Sequence, residues 1–300
     1  MTEGIACGLH YFEAGEGEPL VLLHAQGTDS TSFASVIPKL AKQYHVYAAD
    51  CFGHGKSLHD AARYTLKDCA DAVSGFIREV VGGKASLLGH SSGGLIAAQV
   101  AATTNLCSRL ILEDPPFFSS EGGRRYMTYN YVDLSSVCHM FLQQTEETDF
   151  VPYYFRNQYA WNFFPEKSRD KVREKLSAAA GKYRMRHPEK NLKVPFWPKA
   201  ALAGFVGMNS YDPRFGEAFY TDSFHTGVSH AEILRNITCE TVFLKAKSMI
   251  SDDGILMGAL SDEDLAEVER LVRDCSVIRF DCGHGIHIEK KREFLRAVLW

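Results

Sequence analysis

The stretch Ser86-Leu87-Leu88-Gly89-His90-Ser91-Ser92-Gly93-Gly94-Leu95-Ile96-Ala97-Ala98-Gln99-Val100 constrains this chain more than any other. It reads as a buried strand, a very tight turn and an alanine-rich helix, with the turn written G-x-S-x-G. Glycines two before and two after Ser91 remove side chains where strand and helix nearly touch. Such a turn forces its serine into strained backbone and pushes the hydroxyl out beyond the sheet. The following helix aims its first N–H groups at that hydroxyl, where negative charge would be stabilised.

The rest of the first half repeats one pattern. Leu20-Val21-Leu22-Leu23-His24 and His45-Val46-Tyr47-Ala48-Ala49-Asp50 read as strands, as do 85–88 and 109–113. Each apolar run is short and bounded by turn residues, as buried parallel strands are. Helical patterns separate them: Phe33, Val36, Ile37 and Leu40 share one face, and 65–81 is amphipathic. Strand–helix alternation predicts an α/β fold, a mostly parallel sheet with helices on both faces. Sites in such sheets lie beyond the carboxyl ends of the strands, where His24, Asp50, Ser91 and Glu113 fall.

The pattern changes after 117. No core strand is predicted from 118 to 225, and aromatics crowd the segment instead. It is read as a helical cap inserted between two parts of the core, 1–117 and 226–300. A simple crossover needs far fewer residues. Candidate substrate contacts are Phe118, Trp161, Phe163, Trp197 and Tyr211, each with the alternative of packing the cap on the core. Strand and helix patterns resume at 241–246, 262–272 and 276–280, and 293–300 closes the chain.

Composition excludes other classes. With 33 basic and 37 acidic residues the formal charge is -4, and no basic run marks a polyanion surface, so no nucleic-acid partner is expected. No apolar run is long enough to cross a bilayer. Residues 1–11 lack the basic and apolar segments of a secretory signal. The eight cysteines form no C-x-x-C pair and no zinc-finger spacing, which predicts free thiols, a cytoplasmic setting and no metal.

A serine hydroxyl needs a base, and the base needs an acid to fix its tautomer. His284, in Gly283-His284-Gly285 after the last strand, is the expected base. His287 is one turn further on and more suited to packing. For the acid, Glu113 or its neighbour Asp114 ends one strand, while Asp252 and Asp253 sit in the polar loop 247–254. Glu113 ends its strand directly and is the first choice. The N–H groups of Gln26 and Ser92 are the candidate oxyanion donors.

His24-Ala25-Gln26-Gly27, Asp50-x-x-Gly53-x-Gly55-x-Ser57, Gly89-His90-Ser91-Ser92-Gly93 and Gly283-His284-x-x-His287-x-Glu289 together resemble the α/β-hydrolase superfamily. The resemblance implies a serine nucleophile, a histidine base and an acid. The common pattern places that acid about three residues past a glycine ending the seventh strand; here Ala246 and Met249 hold those positions. A narrower similarity, in Glu113-Asp114-Pro115-Pro116-Phe117-Phe118, Tyr211-Asp212-Pro213-x-x-Gly216 and Gly258-Ala259-Leu260-Ser261-Asp262, is to fungal zearalenone-type lactonases. In that group the acid follows the sixth strand, which implies Glu113.

These readings imply a cofactor-free serine hydrolase that opens an ester or lactone of a bulky apolar small molecule. A homodimer is compatible with the sequence. The competing readings are a small-molecule receptor of the same fold and another triad enzyme such as a hydroxynitrile lyase.

Overall fold

The computed structural model describes residues 2–299, apart from the side chains at 199 and 200. Among the described residues ten strands occur in chain order: β1 Thr2–Ala6, β2 Leu9–Ala14, β3 Glu18–Leu23, β4 Tyr44–Ala49, β5 Ala85–His90, β6 Cys107–Glu113, β7 Glu240–Lys245, β8 Met249–Ile250, β9 Leu256–Met257 and β10 Cys275–Arg279. Eight form one sheet in the order β1-β2-β4-β3-β5-β6-β7-β10. The β1–β2 and β2–β4 pairs are antiparallel, and every pair beyond them is parallel.

The central strands are apolar on both faces because both faces are covered. Val21, Leu23, Leu87, Leu110 and Leu112 pack toward the helices Leu66–Phe76 and Ser92–Thr103. Leu20, Leu22, Leu88, Ile111 and Leu244 pack on the other side, against Phe33, Leu40, Phe294 and Val298. The first helix starts where Thr65 accepts a hydrogen bond from the Asp68 N–H, as N-cap threonines do. Ser92–Thr103 has no polar stripe, since ten of its residues are buried.

The connection from β6 to β7 is helical, with Ser136–Leu142, Phe150–Asn157, Glu166–Arg186 and Pro213–Thr221 among its helices. Its aromatics pack largely on one another: the Phe155 ring lies 5.5 Å from Trp161 and 4.9 Å from Trp197. The two-stranded ribbon β8–β9 was not predicted, and its strands are two residues each. Leu256 of β9 bridges to Thr128 of the helical segment. Among the described residues no helix is long and apolar enough to cross a membrane.

Parallel register brings the carboxyl ends of β3, β4, β5 and β6 to one edge. Asp50 is a clamp there, accepting from His10 Nδ1 at 2.7 Å, the Ser30 N–H at 2.9 Å and the Lys56 N–H at 3.1 Å. These bonds tie β2, the connection after β3 and the loop after β4 to the end of β4.

Candidate active site

Ser91 follows β5 at φ 54° and ψ -120°, strained backbone for a residue with a Cβ. Its N–H donates to the Glu113 carbonyl at 2.9 Å, and its carbonyl accepts from Gly94 and Leu95. The flanking glycines permit the bend. A Cβ on Gly89 would strike the Gly93 carbonyl, and one on Gly93 would strike the carbonyls of Leu23 and His24.

The loop after β3 is held by two histidines, each accepting a main-chain N–H through Nε2. His24 donates through Nδ1 to the Ala25 carbonyl at 2.8 Å and accepts through Nε2 from the Cys51 N–H at 2.8 Å. His54 donates through Nδ1 to the Phe52 carbonyl and accepts through Nε2 from the Gly27 N–H at 3.1 Å. Burial pushes the His54 pKa well down, in keeping with that tautomer. The Gln26 side chain turns aside to donate to the Tyr211 hydroxyl at 3.0 Å. Among the described residues, no protein acceptor takes the main-chain N–H of Gln26 or of Ser92.

His284 donates through Nδ1 to Asp114 Oδ2 at 2.7 Å, not to Glu113. A carboxylate can only accept, so Nδ1 carries the proton and the Nε2 lone pair is open. Asp114 is fully buried and sits at φ 48°. Its N–H donates to the Leu244 carbonyl, and its Oδ1 accepts from the Ala246 N–H at 3.1 Å. Next to it Lys245 is also buried, donating to the Ala246 carbonyl and to Ser248 Oγ. Burial lowers its pKa, while the charges of Asp114 and Asp262 oppose that shift.

The expected pairing of Glu113 with His284 is therefore corrected. Glu113 accepts from the His287 N–H at 2.8 Å and, through both oxygens, from His287 Nδ1 at 2.8 and 2.9 Å. The reason is strand alternation. Glu113 continues the Ile111 face of β6, where His287 lies between Phe33 and Phe294. Asp114 falls on the opposite side and bends toward the end of β7. Burial alone would raise the Glu113 pKa, but the His287 imidazole and N–H hold it down to about 2. His90 lies between the two pairs, 4.6 Å from the His284 ring and 5.2 Å from the His287 ring, and donates to the His284 carbonyl. Burial drives its pKa down to about 3, so it is neutral. His90, Glu113 and His287 offer metal-ligand atoms within 4.8 Å of one another, but the Glu113 oxygens already hold His287.

Asp252 and Asp253 fall in the turn between β8 and β9. The Asp253 carboxylate accepts from the Tyr159 hydroxyl and Ser251 Oγ.

Ser91, His284, Gln26 and Ser92 face one cavity of about 270 Å³. Leu134, Met208 and Phe219 form apolar parts of its wall. The five aromatic residues expected to contact substrate are not in that wall. Phe163 is 61% exposed on the outer surface. Trp161 and Trp197 are buried in the aromatic cluster of the helical segment, their rings 4.8 Å apart. Phe118 is fixed by its N–H to His230 Nδ1 at 2.8 Å. Tyr211 stands behind Gln26 as its hydrogen-bond acceptor. An aromatic-rich stretch has enough rings to fill its own core, and sequence does not separate those from rings that face a ligand. The wall residues Leu134 and Met208 carry no signal that distinguishes them from core positions.

Comparison with known proteins agrees with this architecture. A family model described as "Alpha/beta hydrolase family" matches residues 20–297. The chain is 43% identical over 94 residues to (E)-2-((N-methylformamido)methylene)succinate hydrolase of Acinetobacter baylyi, covering 31% of this chain and 36% of that protein. It is 33% identical over 141 residues to pimeloyl-[acyl-carrier protein] methyl ester esterase of Aliivibrio salmonicida, covering 46% and 50%. These matches span between about a third and a half of the curated relatives' length. Among solved structures, the enol-lactonase of Burkholderia xenovorans superposes with TM-score 0.63 at 17% identity, covering 97% of this chain and 95% of that one. The esterase of Exiguobacterium antarcticum gives 0.66 at 17% identity, covering 97% and 94%.

Proposed function

The chain belongs to the alpha/beta hydrolase family, and from that premise we propose that it is a serine hydrolase of ester or lactone bonds. Ser91 is the nucleophile, His284 the base and Asp114 the acid. The observation that carries the reading is Ser91 and His284 opening into one cavity, with the His284 Nδ1–H held by a buried carboxylate.

The chemistry follows from the atoms. Ser91 Oγ attacks the substrate carbonyl while His284 Nε2 takes its proton. The Asp114 carboxylate stabilises the imidazolium and keeps the ring in the required tautomer. The carbonyl oxygen becomes an oxyanion, received by the N–H groups of Gln26 and Ser92; one such donor typically contributes about 10²–10³ in rate. His284 returns the proton to the leaving alkoxide, giving an acyl-enzyme. Water then enters, activated by the same Nε2, and frees the acid. In a lactone the leaving alkoxide remains tethered to the acyl group, so ring opening and hydrolysis occur on one bound molecule.

The apolar wall favours a bulky, largely hydrocarbon substrate. The lactonase part of the reading rests on the resemblance at 113–118, 211–216 and 258–262 to zearalenone-type lactonases, and the relatives' names span ester, lactone and other hydrolyses. A fluorophosphonate label should modify Ser91, located by peptide mass spectrometry. Ser91→Ala should lose more than about 10⁴-fold in kcat on every ester or lactone cleaved, with its thermal unfolding unchanged. Full turnover in that variant would refute the assignment.

A further inference from the structure

The cavity has a charged group at its wall that the reaction does not use. Asp133 lies in the π-turn Tyr131–Ser135 of the helical segment, 2% exposed, and lines the same cavity as Ser91 and His284. Its carboxylate accepts from the Tyr154 hydroxyl through Oδ2 and from the Tyr159 N–H through Oδ1. The Tyr129 hydroxyl lies beside it. A carboxylate offers about four acceptor positions on two oxygens. Tyr154, Tyr159 and Tyr129 take three of them, which leaves one position for a guest.

Neutral donors, not a cation, meet this carboxylate. Among the described residues no lysine or arginine lines the cavity. Burial raises the Asp133 pKa to about 6, and the Tyr154 hydroxyl, the Tyr159 N–H and the Tyr129 hydroxyl that face it favour the carboxylate form. A second carboxylate entering this space would meet like charge with no cation to receive it. A hydroxyl would find a buried charged acceptor, which is among the stronger neutral-to-ion hydrogen bonds.

We propose that Asp133 is the polar anchor of the substrate cavity, accepting a hydrogen bond from a hydroxyl of an uncharged ester or lactone and excluding substrates that carry a carboxylate. The inference rests on reading this cavity as the substrate site of a serine hydrolase. It makes Asp133 a specificity residue, remote from bond breaking. A role limited to fastening Tyr154 and Tyr159 would give no discrimination between such substrates.

The test uses the full-length protein and nitrophenyl esters of arylalkanoic acids in three matched sets: hydroxylated, unsubstituted and carboxylated, each varied in chain length. The best hydroxylated ester should exceed its unsubstituted counterpart in kcat/KM by about tenfold or more. The carboxylated one should fall at least about tenfold below it. Comparable rates for carboxylated and hydroxylated esters, or no hydroxyl advantage at any length, would overturn the proposal. Binding of the same esters to Ser91→Ala, read by thermal shift, reports the discrimination independently of turnover. If turnover is absent while the binding order holds, the hydrolase reading fails and the anchor stands. If all three sets turn over alike, only the anchor fails. Asp133→Asn should narrow the ratio of hydroxylated to carboxylated kcat/KM by at least about tenfold; an unchanged ratio in a folded variant also overturns it.

Discussion

Replacing Asp114 and Glu113 one at a time by their amides should separate catalysis from stability. Asn at 114 keeps an oxygen for the Ala246 N–H, and asparagine tolerates the positive φ found there. Its amide NH₂ then faces His284 Nδ1, which must become an acceptor, and the proton moves to Nε2. That nitrogen can no longer take the Ser91 proton. A wrong tautomer of this kind costs about 10⁴-fold in kcat, or about 5 kcal/mol of barrier, while the fold loses one charge-assisted bond worth about 1.5–3 kcal/mol. Gln at 113 has the opposite effect. It breaks a fully buried pair in which one carboxylate serves both the ring and the N–H of His287, a loss of about 3–5 kcal/mol in stability. The assays are kcat on a chromogenic ester and urea unfolding followed by fluorescence, in both variants. Expected are an Asp114→Asn protein that is folded and nearly inert, and a Glu113→Gln protein that is weakened but retains kcat within about tenfold when folded. An inert Glu113→Gln beside an active Asp114→Asn would refute the argument and restore Glu113 as the acid.

Two further outcomes follow from the same geometry. Gly93→Ala places a methyl against the Leu23 and His24 carbonyls, main-chain atoms that have no flexible side chain's freedom to give way, so stability should fall by about 3 kcal/mol or more; urea unfolding at wild-type strength would count against the close approach. Glu113 is also an acid sensor. Its folded pKa, about 2, lies below the ordinary glutamate value of about 4.5, so its contribution is complete above pH 5 and is lost as pH falls toward 2. The stability gap between wild type and Glu113→Gln should therefore close over that window, and a gap that widens on acidification would reverse the sign.

Much of the fold was legible because its signals are local. The apolar runs of β3 and β5, the glycine spacing around Ser91 and the polar switch at 283–287 each need a few adjacent residues to read. The site was legible as far as loops are concerned: Gln26, Ser91 and His284 face one cavity, as their positions at strand ends imply. Residue type does not separate the partner of His284, because Glu113 and Asp114 are neighbours and only side-chain direction tells them apart. Direction depends on which face of β6 continues and on the positive φ at 114, and neither is encoded in residue type. The helical segment between β6 and β7 was hardest. Its rings satisfy one another, as Phe155, Trp161 and Trp197 do, so composition said that it packs but not what faces inward. Asp133 gave no motif at all; it matters through burial beside tyrosines brought from positions 129, 154 and 159.

In the proposed triad the acid comes from the end of β6, so no side chain of the connection after β7 is needed to move protons. In this molecule it builds the small β8–β9 ribbon, touches the helical segment between β6 and β7 through Leu256 and Thr128, and contributes Gly258 and Ala259 to the chamber above Ser91. Beyond Ala246, whose N–H holds Asp114, such a segment could be lengthened or trimmed without rebuilding the reactive centre. Selection for a new guest molecule would find its least constrained material there.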